Sequence, residues 1–439
     1  VSELLRRLRR WLSIGSERRF RAWLIGITLI ILVFKFLIIP YPWPELPPES
    51  CINPPIEGGR CGFVFDEAHY IPAVRKMLHG EAANNEHPPL SKVLMMLGIL
   101  IFGDNPYGWR TLITICGAAS VYLVGLLAYE LTKSFKASLI AAALLGFDIT
   151  SFNLSSIAML DAPALALSLL GAYLYLRKRF VFSGLAFGLA LLSKLSTAFI
   201  LFAILLYDLA KTSYREASFR GAMRGWIGVV EKTCLTAIII LVIGLGIYDS
   251  SYGAFQTPFE HLDFMLDYHS SLTFSEGDIV DMPLSWTNPI FQFPRASYFV
   301  VAVQVDSLKT YHPIAYYGTQ TPLWWMTWIV LVFAIYLMYV GLKAGEFPDL
   351  ELFALCWLLT NYLVYFPLAH ILHRWVYSFY FYNSVPIVAV AISRLLEGEK
   401  LSELILYLLL AGQVCFFLYF FPVKPQWYID FLLWLGLPA

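Results

Sequence analysis

Charge is scarce in this chain: Asp, Glu, Lys and Arg make up 14% of its 439 residues, against 59% hydrophobic residues. A soluble domain carries about 25% charged residues, so the scarcity excludes that class and leaves a polytopic membrane protein. The formal net charge is zero, which gives no pull toward nucleic acid, and no nucleic-acid partner is expected. Cysteine is scarce too, with 6 residues. Cys116, Cys234, Cys356 and Cys415 fall inside apolar runs, where a thiol behaves as a small hydrophobe. Cys51 and Cys61 lie in the polar stretch after the first run; they bridge if that stretch meets an oxidising compartment and otherwise stay two loop thiols. A phosphate-cradling glycine loop, a transporter-type internal repeat and a metal-ligand spacing of the diagnostic kind are all missing. Carboxylates and histidines do coexist, which leaves a divalent metal open while assigning it no ligands.

What the chain has in abundance is apolar runs. Eleven read as spans: 22–40, 109–129, 137–152, 159–176, 180–192, 195–210, 227–248, 323–342, 350–368, 375–393 and 401–421. At 1.5 Å rise, about twenty apolar residues cross the hydrocarbon core. The run 90–102 is too short for that and reads as a re-entrant or interfacial helix. The first run lacks a small-residue cleavage site after it and reads as a retained anchor. Residues 1–21 are rich in arginine, either a solvated tail or an amphipathic segment on anionic lipid, and place the N-terminus on the cytoplasmic side. The inside loops that follow from this count carry Lys133, Lys136, Arg177, Lys178, Arg179, Lys211, Arg215, Arg220, Arg224, Lys343, Arg394 and Lys400, so the positive-inside rule agrees with the parity. Reading 180–210 as one long span would reverse everything downstream, and that charge pattern rejects it. The expected organisation is a basic segment 1–21, a transmembrane domain 22–421 with outer loops 41–108 and 249–322, and an outer interfacial segment 422–439 anchored by Trp427, Tyr428 and Trp434.

The most polar loop, FDEAHYIPAVRKMLHGEAANNEHPPLSK at 65–92, sits outside. Asp66 and Glu67 open a short amphipathic helix to about His79, where a carboxylate is favoured by free amides and the helix dipole; Pro72 should delay or bend it. Topology gathers Asp66, Glu67, His69, His87, Lys92, Arg110, Asp161, Lys194, His370, His373 and Arg374 at that same outer face. Charges near a bilayer are costly unless they pair or face a cavity. Carboxylates with several cations suit a substrate bearing an anionic lipid phosphate and a nucleophile that needs a base.

FDEAHY followed by EHPPLSK resembles the first outer loop of the protein O-mannosyltransferases. GWR at 108–110, MLDAP at 159–163, SKLSTAF at 193–199, SWTNPIFQFP at 285–294, YGTQTPLWW at 317–325 and HRWVYSFYFYNSVP at 373–386 follow in the same order. The resemblance implies an all-α polytopic enzyme of the GT-C glycosyltransferase fold. Such an enzyme moves mannose from a dolichyl- or polyprenyl-phosphate carrier to Ser/Thr hydroxyls of exported proteins at the outer face of the cell membrane. The outer loop 249–322 is too short for the MIR domain of eukaryotic members, which points to a prokaryotic form. Tyr-Gly-Thr-Gln stands where the family often has Leu-Gly-Asn-Pro, so acceptor and sugar stay open. The family often dimerises; no span here shows a convincing dimer face.

In such a transfer the phosphate leaves readily, and the enzyme must supply a base and cations. Asp66 is the expected base, in a one-step inversion by analogy with inverting glycosidases, and Glu67 is expected to orient acceptor or donor. Against this stands simple helix capping by the pair. Arg110 and Arg374 are the expected phosphate ligands, since guanidinium forks match phosphate oxygens, with Lys92 and Lys194 behind them and snorkelling as the alternative for all four. His69, Asp161 and His87 are supporting candidates: His69 shares a helix face with Asp66, Asp161 is a second acid or a surface carboxylate, and His87 fixes the HPP turn. Trp324, Trp325, Trp328, Tyr377, Tyr380 and Tyr382 either pack or line a lipid or sugar path. Competing functions are a transferase with a lipid acceptor, resembling the aminoarabinose transferases, and a secondary transporter. Transporters gather ionisable residues at mid-membrane in broken, repeated helices, unlike the one-sided charge seen here.

Overall fold

The computed structural model describes residues 16–52, 58–216, 218–275, 278, 280, 282–292 and 313–437. Residues 1–15 of the basic segment expected at 1–21, and the end of the SWTNPIFQFP stretch, lie outside the described residues. Among the described residues the elements are helices, with two isolated β-bridges, Thr273–Arg374 and Ile314–Val423.

The first span is α1 (Glu17–Ile38), capped by the Ser16 hydroxyl, which accepts from the Arg19 amide. Its Leu29, Val33 and Leu37 are exposed, whereas Phe20, Leu24, Ile31 and Ile38 are buried, so one stripe faces the other helices and the rest faces lipid. The loop that follows carries α2 (Glu67–Leu78) and α3 (Leu90–Phe102). Pro72 sits inside α2 without delaying its start; the helix costs itself only the one amide that proline lacks. Next comes α4 (Pro106–Thr132). It crosses α3 so closely that a Cβ on Gly98 would stand 2.1 Å from the Gly108 carbonyl oxygen; the glycine of the GWR stretch is there for backbone approach.

The expected span 137–152 is broken. Helix α5 (Phe135–Gly146) ends before Asp148, and a short α6 (Ile149–Leu154) follows. Two buried charges hold this break. At the front of α6, Asp148 accepts from the Ser151 amide at 3.0 Å, the Thr321 hydroxyl at 2.6 Å and the Gln413 amide at 3.0 Å. At its end, Lys35 of α1 donates to the Phe152 carbonyl at 2.7 Å and to the Ser155 and Ser156 hydroxyls at 2.7 and 3.0 Å. Acid at the N-terminus and base at the C-terminus match the helix dipole. They also satisfy backbone groups that a bilayer would leave unpaired.

Beyond the break run α7 (Asp161–Leu176), α8 (Phe180–Ser193), α9 (Ala198–Arg215) and α10 (Phe219–Tyr252). Lys194 is extended between α8 and α9, so the 180–210 run is two helices. The segment after α10 forms α11 (Pro258–Ser271), α12 (Pro283–Thr287) and α13 (Pro289–Gln292). A single turn α14 (Pro322–Trp325) leads into α15 (Thr327–Ala344), and α16 (Asp349–Leu358) continues through a π-helical turn to α17 (Tyr365–His370).

The expected span 375–393 is also revised. Residues 373–377 are non-helical, Ser378–Asn383 is a 3-10 turn, and only α18 (Val385–Leu395) is an α-helix, started by Pro386. Hydropathy misled because alternate rings, Trp375, Tyr377 and Phe379, stack on one another at 6.4 and 5.5 Å; this aromatic run spends its apolar surface on itself. The chain closes with α19 (Lys400–Tyr419) and the surface helix α20 (Gln426–Trp434), whose Trp427 and Trp434 are exposed.

Among the described residues, seven helical stretches are long and apolar enough to cross a membrane: Glu17–Ile38, Pro106–Thr132, Leu195–Arg215, Arg220–Tyr252, Pro322–Ala344, Asp349–His370 and Lys400–Tyr419. The other four expected spans are the shorter apolar helices α5, α7, α8 and α18. The protein is a multi-pass, all-helical membrane protein.

Candidate active site

The two adjacent carboxylates part company at the start of α2. Glu67 is fully buried, and four N–H groups converge on it: Arg110 Nε at 2.7 Å, Arg110 Nη2 at 2.6 Å, the Val64 amide at 2.8 Å and the Ala158 amide at 2.7 Å. The carboxylate is saturated and has no face left for a substrate. Arg110 is equally spent. Its remaining N–H groups go to the carbonyls of Ile39 at 2.8 Å, Tyr41 at 2.7 Å and Gly62 at 2.8 Å, which accounts for all five guanidinium donors. Arg110 is therefore not a phosphate ligand, and Glu67 does not orient a substrate. The pair is a buried bidentate lock that joins the N-terminal end of α4 to the loop before α2 and to the segment leading into α7.

Asp66 is the opposite case. It stands at the N-cap of α2, yet its side chain makes no capping hydrogen bond, so the capping explanation fails for it. The carboxyl is half-buried. Burial pushes its pKa up to about 6; the nearby charges of Lys194 and His69 pull the other way, Asp161 adds to the rise, and the neighbouring Tyr70 hydroxyl favours the ionised form slightly. Tyr70 was not among the expected site residues, although it lies one helical turn from Asp66 and the i, i+4 spacing in FDEAHY signals it.

Around Asp66 the structure assembles a charged rim. Lys194, in the break between α8 and α9, donates to Asp161 Oδ1 at 2.7 Å and lies over the rings of Phe379 and Tyr380 at 5.6 and 5.7 Å. Asp161 is buried, and its second oxygen, Oδ2, has no hydrogen-bond partner among the described residues. Arg374 donates through Nη1 to the carbonyls of His269 and of Leu272, the latter at 3.4 Å. No carboxylate pairs with it among the described residues, so most of its fork stays available. His69 is exposed on the Asp66 side of α2.

Lys92 is a second correction. Its ammonium is buried and donates to three carbonyls, those of Ala83 at 3.2 Å, Asn84, and His87 at 3.0 Å. It staples the loop between α2 and α3 and offers no donor to a phosphate. The same loop is held from above by α10 and α11: Tyr248 accepts from the Ala83 amide at 3.2 Å and donates to Asn85 Oδ1 at 2.9 Å, and His261 contacts the Asn85 carbonyl at 2.9 Å. His87 emerges from this clamp between Tyr70 and His269, with ring centroids at 5.9 and 5.2 Å. Burial and then the neighbouring cations, Lys194 first, hold the His87 imidazole well below its ordinary pKa. The same effects, with Arg374 ahead of Lys194, bring His269 down to about 4. Both rings are thus neutral at ordinary pH. No spacing linked His269 to this loop; only the packing of α11 over it does. Cys51 and Cys61 are bridged, with Cα atoms 5.9 Å apart. Among the described residues no three of His, Cys, Asp and Glu are placed to hold a metal ion.

The helix arrangement is that of the GT-C glycosyltransferases. The chain superposes on the S. cerevisiae protein O-mannosyltransferase Pmt1–Pmt2 complex bound to the sugar donor with a TM-score of 0.69, covering 94% of this chain and 90% of that one at 10% identity. It superposes on ArnT from Cupriavidus metallidurans bound to undecaprenyl phosphate with a TM-score of 0.55, covering 88% and 62% at 14% identity. Within that fold class the sequence narrows the kinship: residues 86–244 match the family model of dolichyl-phosphate-mannose-protein mannosyltransferases, so the family resemblance read from the sequence is borne out. The chain is 35% identical over 105 residues to the polyprenol-phosphate-mannose–protein mannosyltransferase of Mycolicibacterium smegmatis, covering 22% of this chain and 20% of that protein. It is 31% identical over 156 residues to the protein of the same name from Mycobacterium tuberculosis, covering 34% and 27%. The matched stretches are thus only about a fifth to a quarter of those relatives' length.

Proposed function

We propose that the chain transfers mannose from a polyprenyl-phosphate carrier to Ser/Thr hydroxyls of protein acceptors at the outer face of the membrane. The observation that carries this reading is Asp66: a half-buried carboxyl, free of any capping bond, raised to about 6 and ringed by Lys194, Asp161, Tyr70 and His69. A base is most effective when its pKa lies near the working pH. In the step we envisage, Asp66 takes the proton of the acceptor hydroxyl as its oxygen bonds to the anomeric carbon. The bond from that carbon to the phosphate oxygen breaks on the opposite side, with inversion. The phosphate leaves with the bonding electron pair, and Arg374 and Lys194 stabilise its charge. Asp161 Oδ2, buried and unpaired, is suited to accept a sugar hydroxyl.

Two further features support the outer placement. The Cys51–Cys61 bridge in the loop before Asp66 fits an oxidising compartment, and the bases of the opposite loops fit the positive-inside rule.

The test is direct. Purified full-length protein is incubated with radiolabelled polyprenyl-phosphate-mannose and a Ser/Thr-rich peptide. Label should reach the peptide. Label passing to a lipid acceptor instead would overturn the protein-acceptor reading, and label staying on the donor under all conditions would overturn the transfer itself.

A further inference from the structure

At the end of the bundle away from Asp66, α15, α16 and α18 line a half-open cavity of about 350 Å³ walled by Phe333, Tyr336, Leu350 and Ala391. That is within the range of ligand cavities. Its lining includes one acid and one base, Glu351 and Arg394. Helix α16 and its continuation α17 run from this cavity toward the polar cluster, where Tyr365 meets Tyr380 at 5.4 Å. Glu351 precedes Tyr365 by about four turns, roughly 20 Å at the helical rise. The cavity is therefore a separate place from the charged rim of Asp66.

Its occupant follows from where it opens and what it offers. The stretches that carry α15 and α16 are both long and apolar enough to span. On the α15 side, Val332, Phe333 and Tyr336 are exposed, so what faces this wall is the bilayer. Arg394 gives one N–H to Glu397 Oε2 at 3.1 Å, and its side chain is 48% exposed, leaving donors for a phosphate. Glu351 has no hydrogen-bond or ion-pair partner among the described residues. A carboxylate lining a mainly apolar cavity is costly until a cation joins it. An anionic lipid would satisfy Arg394 and repel Glu351; a purely apolar chain would satisfy neither.

We propose that this cavity binds one zwitterionic amino-phospholipid, its phosphate on Arg394, its ammonium on Glu351 and one chain along Phe333, Tyr336, Leu350 and Ala391. The site would hold α15, α16 and α18 together at the end where α18, a short helix of 11 residues, has least length to span.

The test uses the detergent-purified full chain and native mass spectrometry. Protein is equilibrated with equal concentrations of phosphatidylethanolamine and phosphatidylglycerol, which differ in the amine. Wild type should retain one phosphatidylethanolamine per chain with a preference of about tenfold, the equivalent of ~1.4 kcal/mol. Glu351→Gln should bring that preference to near unity, and Ala391→Phe, which fills the cavity, should remove retention of both lipids. Glu351 is partly exposed and unpaired, so its variant folds and carries the test if the cavity-filling one does not. An undiminished amine preference in Glu351→Gln overturns the proposal. So does retention by a folded Ala391→Phe, or a retained species that is polyprenyl phosphate or a second copy of the chain. Mannosyl transfer is read separately, so a failure of this site and a failure of the proposed function are distinguishable.

Discussion

Glu67 and Arg110 form a fully buried bidentate ion pair, with Nε–Oε1 at 2.7 Å and Nη2–Oε2 at 2.6 Å. Neither residue retains a free polar atom facing the site, so the pair acts through position. It fixes the backbone on both sides of Asp66's neighbourhood: the Val64 amide just before it, and the Ala158 amide three residues before Asp161. Removing one partner of a buried pair leaves an uncompensated charge and costs about 3–5 kcal/mol. Arg110→Ala should therefore lower the thermal midpoint sharply and reduce transfer with donor and acceptor requirements affected alike. A well-folded variant with a selective rise in donor KM would restore Arg110 as a phosphate ligand.

Asp66→Asn separates chemistry from folding. The variant should lose transfer while the chain stays folded, because the carboxyl makes no capping bond. Near-normal turnover would remove Asp66 from its proposed role. The sign of its pKa adds a second readout. A carboxyl raised to about 6 in the folded protein binds its proton more tightly there than in the unfolded chain. Its stabilising contribution is present below the ordinary carboxyl pKa of about 4 and is lost as pH rises through 6. Asp66→Asn should thus raise the thermal midpoint above pH 6 and leave it unchanged near pH 4.

The same pKa predicts the activity profile. A base works only when ionised, so kcat/KM of the wild type should fall tenfold per unit below about pH 6 and level off above it. Measured from pH 4.5 to 8, a rate that instead rises as the pH drops would mark the essential group as an acid.

Much of this was legible in the sequence, and the parts that were not share a cause. Seven of the eleven expected spans coincide with helices long and apolar enough to cross a membrane, and α3 has the bounds 90–102 that its apolar length implied. The polar loop and its first carboxylate were equally visible. What spacing cannot reveal is which long-range partner a charge will choose. Nothing local distinguishes Glu67 from Asp66, yet one meets an arginine 43 positions on and the other does not. Arg110 and Arg374 look alike as outer-end arginines until their neighbours' carbonyls are counted. The break at Asp148 was hidden because the residues that satisfy it, Lys35, Thr321 and Gln413, come from remote parts of the chain. The ladder of Trp375, Tyr377 and Phe379 read as a span because aromatic apolarity carries no sign of which surface it covers.

The Cys51–Cys61 bridge closes a loop whose neighbours hold the lock in place: the Cys51 carbonyl accepts from Arg75 at 3.1 Å, and Gly62 accepts from Arg110. A short bridge of this kind contributes about 2–3 kcal/mol by limiting the unfolded chain. Paired Cys51→Ser and Cys61→Ser substitutions should lower the thermal midpoint and make transfer more heat-labile. Unchanged heat lability would mean that the loop is held by its packing alone.

Arg374 and Lys92 offer the sharpest contrast among the cations. Lys92 spends its ammonium on three carbonyls of the α2–α3 loop, whereas Arg374 touches only backbone carbonyls through one nitrogen and has no carboxylate partner among the described residues. If the donor phosphate sits between Arg374 and Lys194, Arg374→Ala should raise donor KM by about tenfold or more, the scale of one charge-assisted hydrogen bond of ~1.5–3 kcal/mol, and leave acceptor KM nearly unchanged. Arg374→Lys should recover part of the loss, since a point charge replaces the fork without its geometry. Lys92→Met should behave differently: the three carbonyls lose their donor, the His87 loop loosens, and kcat falls with the thermal midpoint while the ratio of the two KM values holds. Steady-state kinetics on the two variants with varied donor and varied acceptor decide the matter. Equal effects on both substrates for Arg374→Ala would argue against phosphate contact, and a donor-selective defect in a thermally intact Lys92→Met would return Lys92 to the phosphate site.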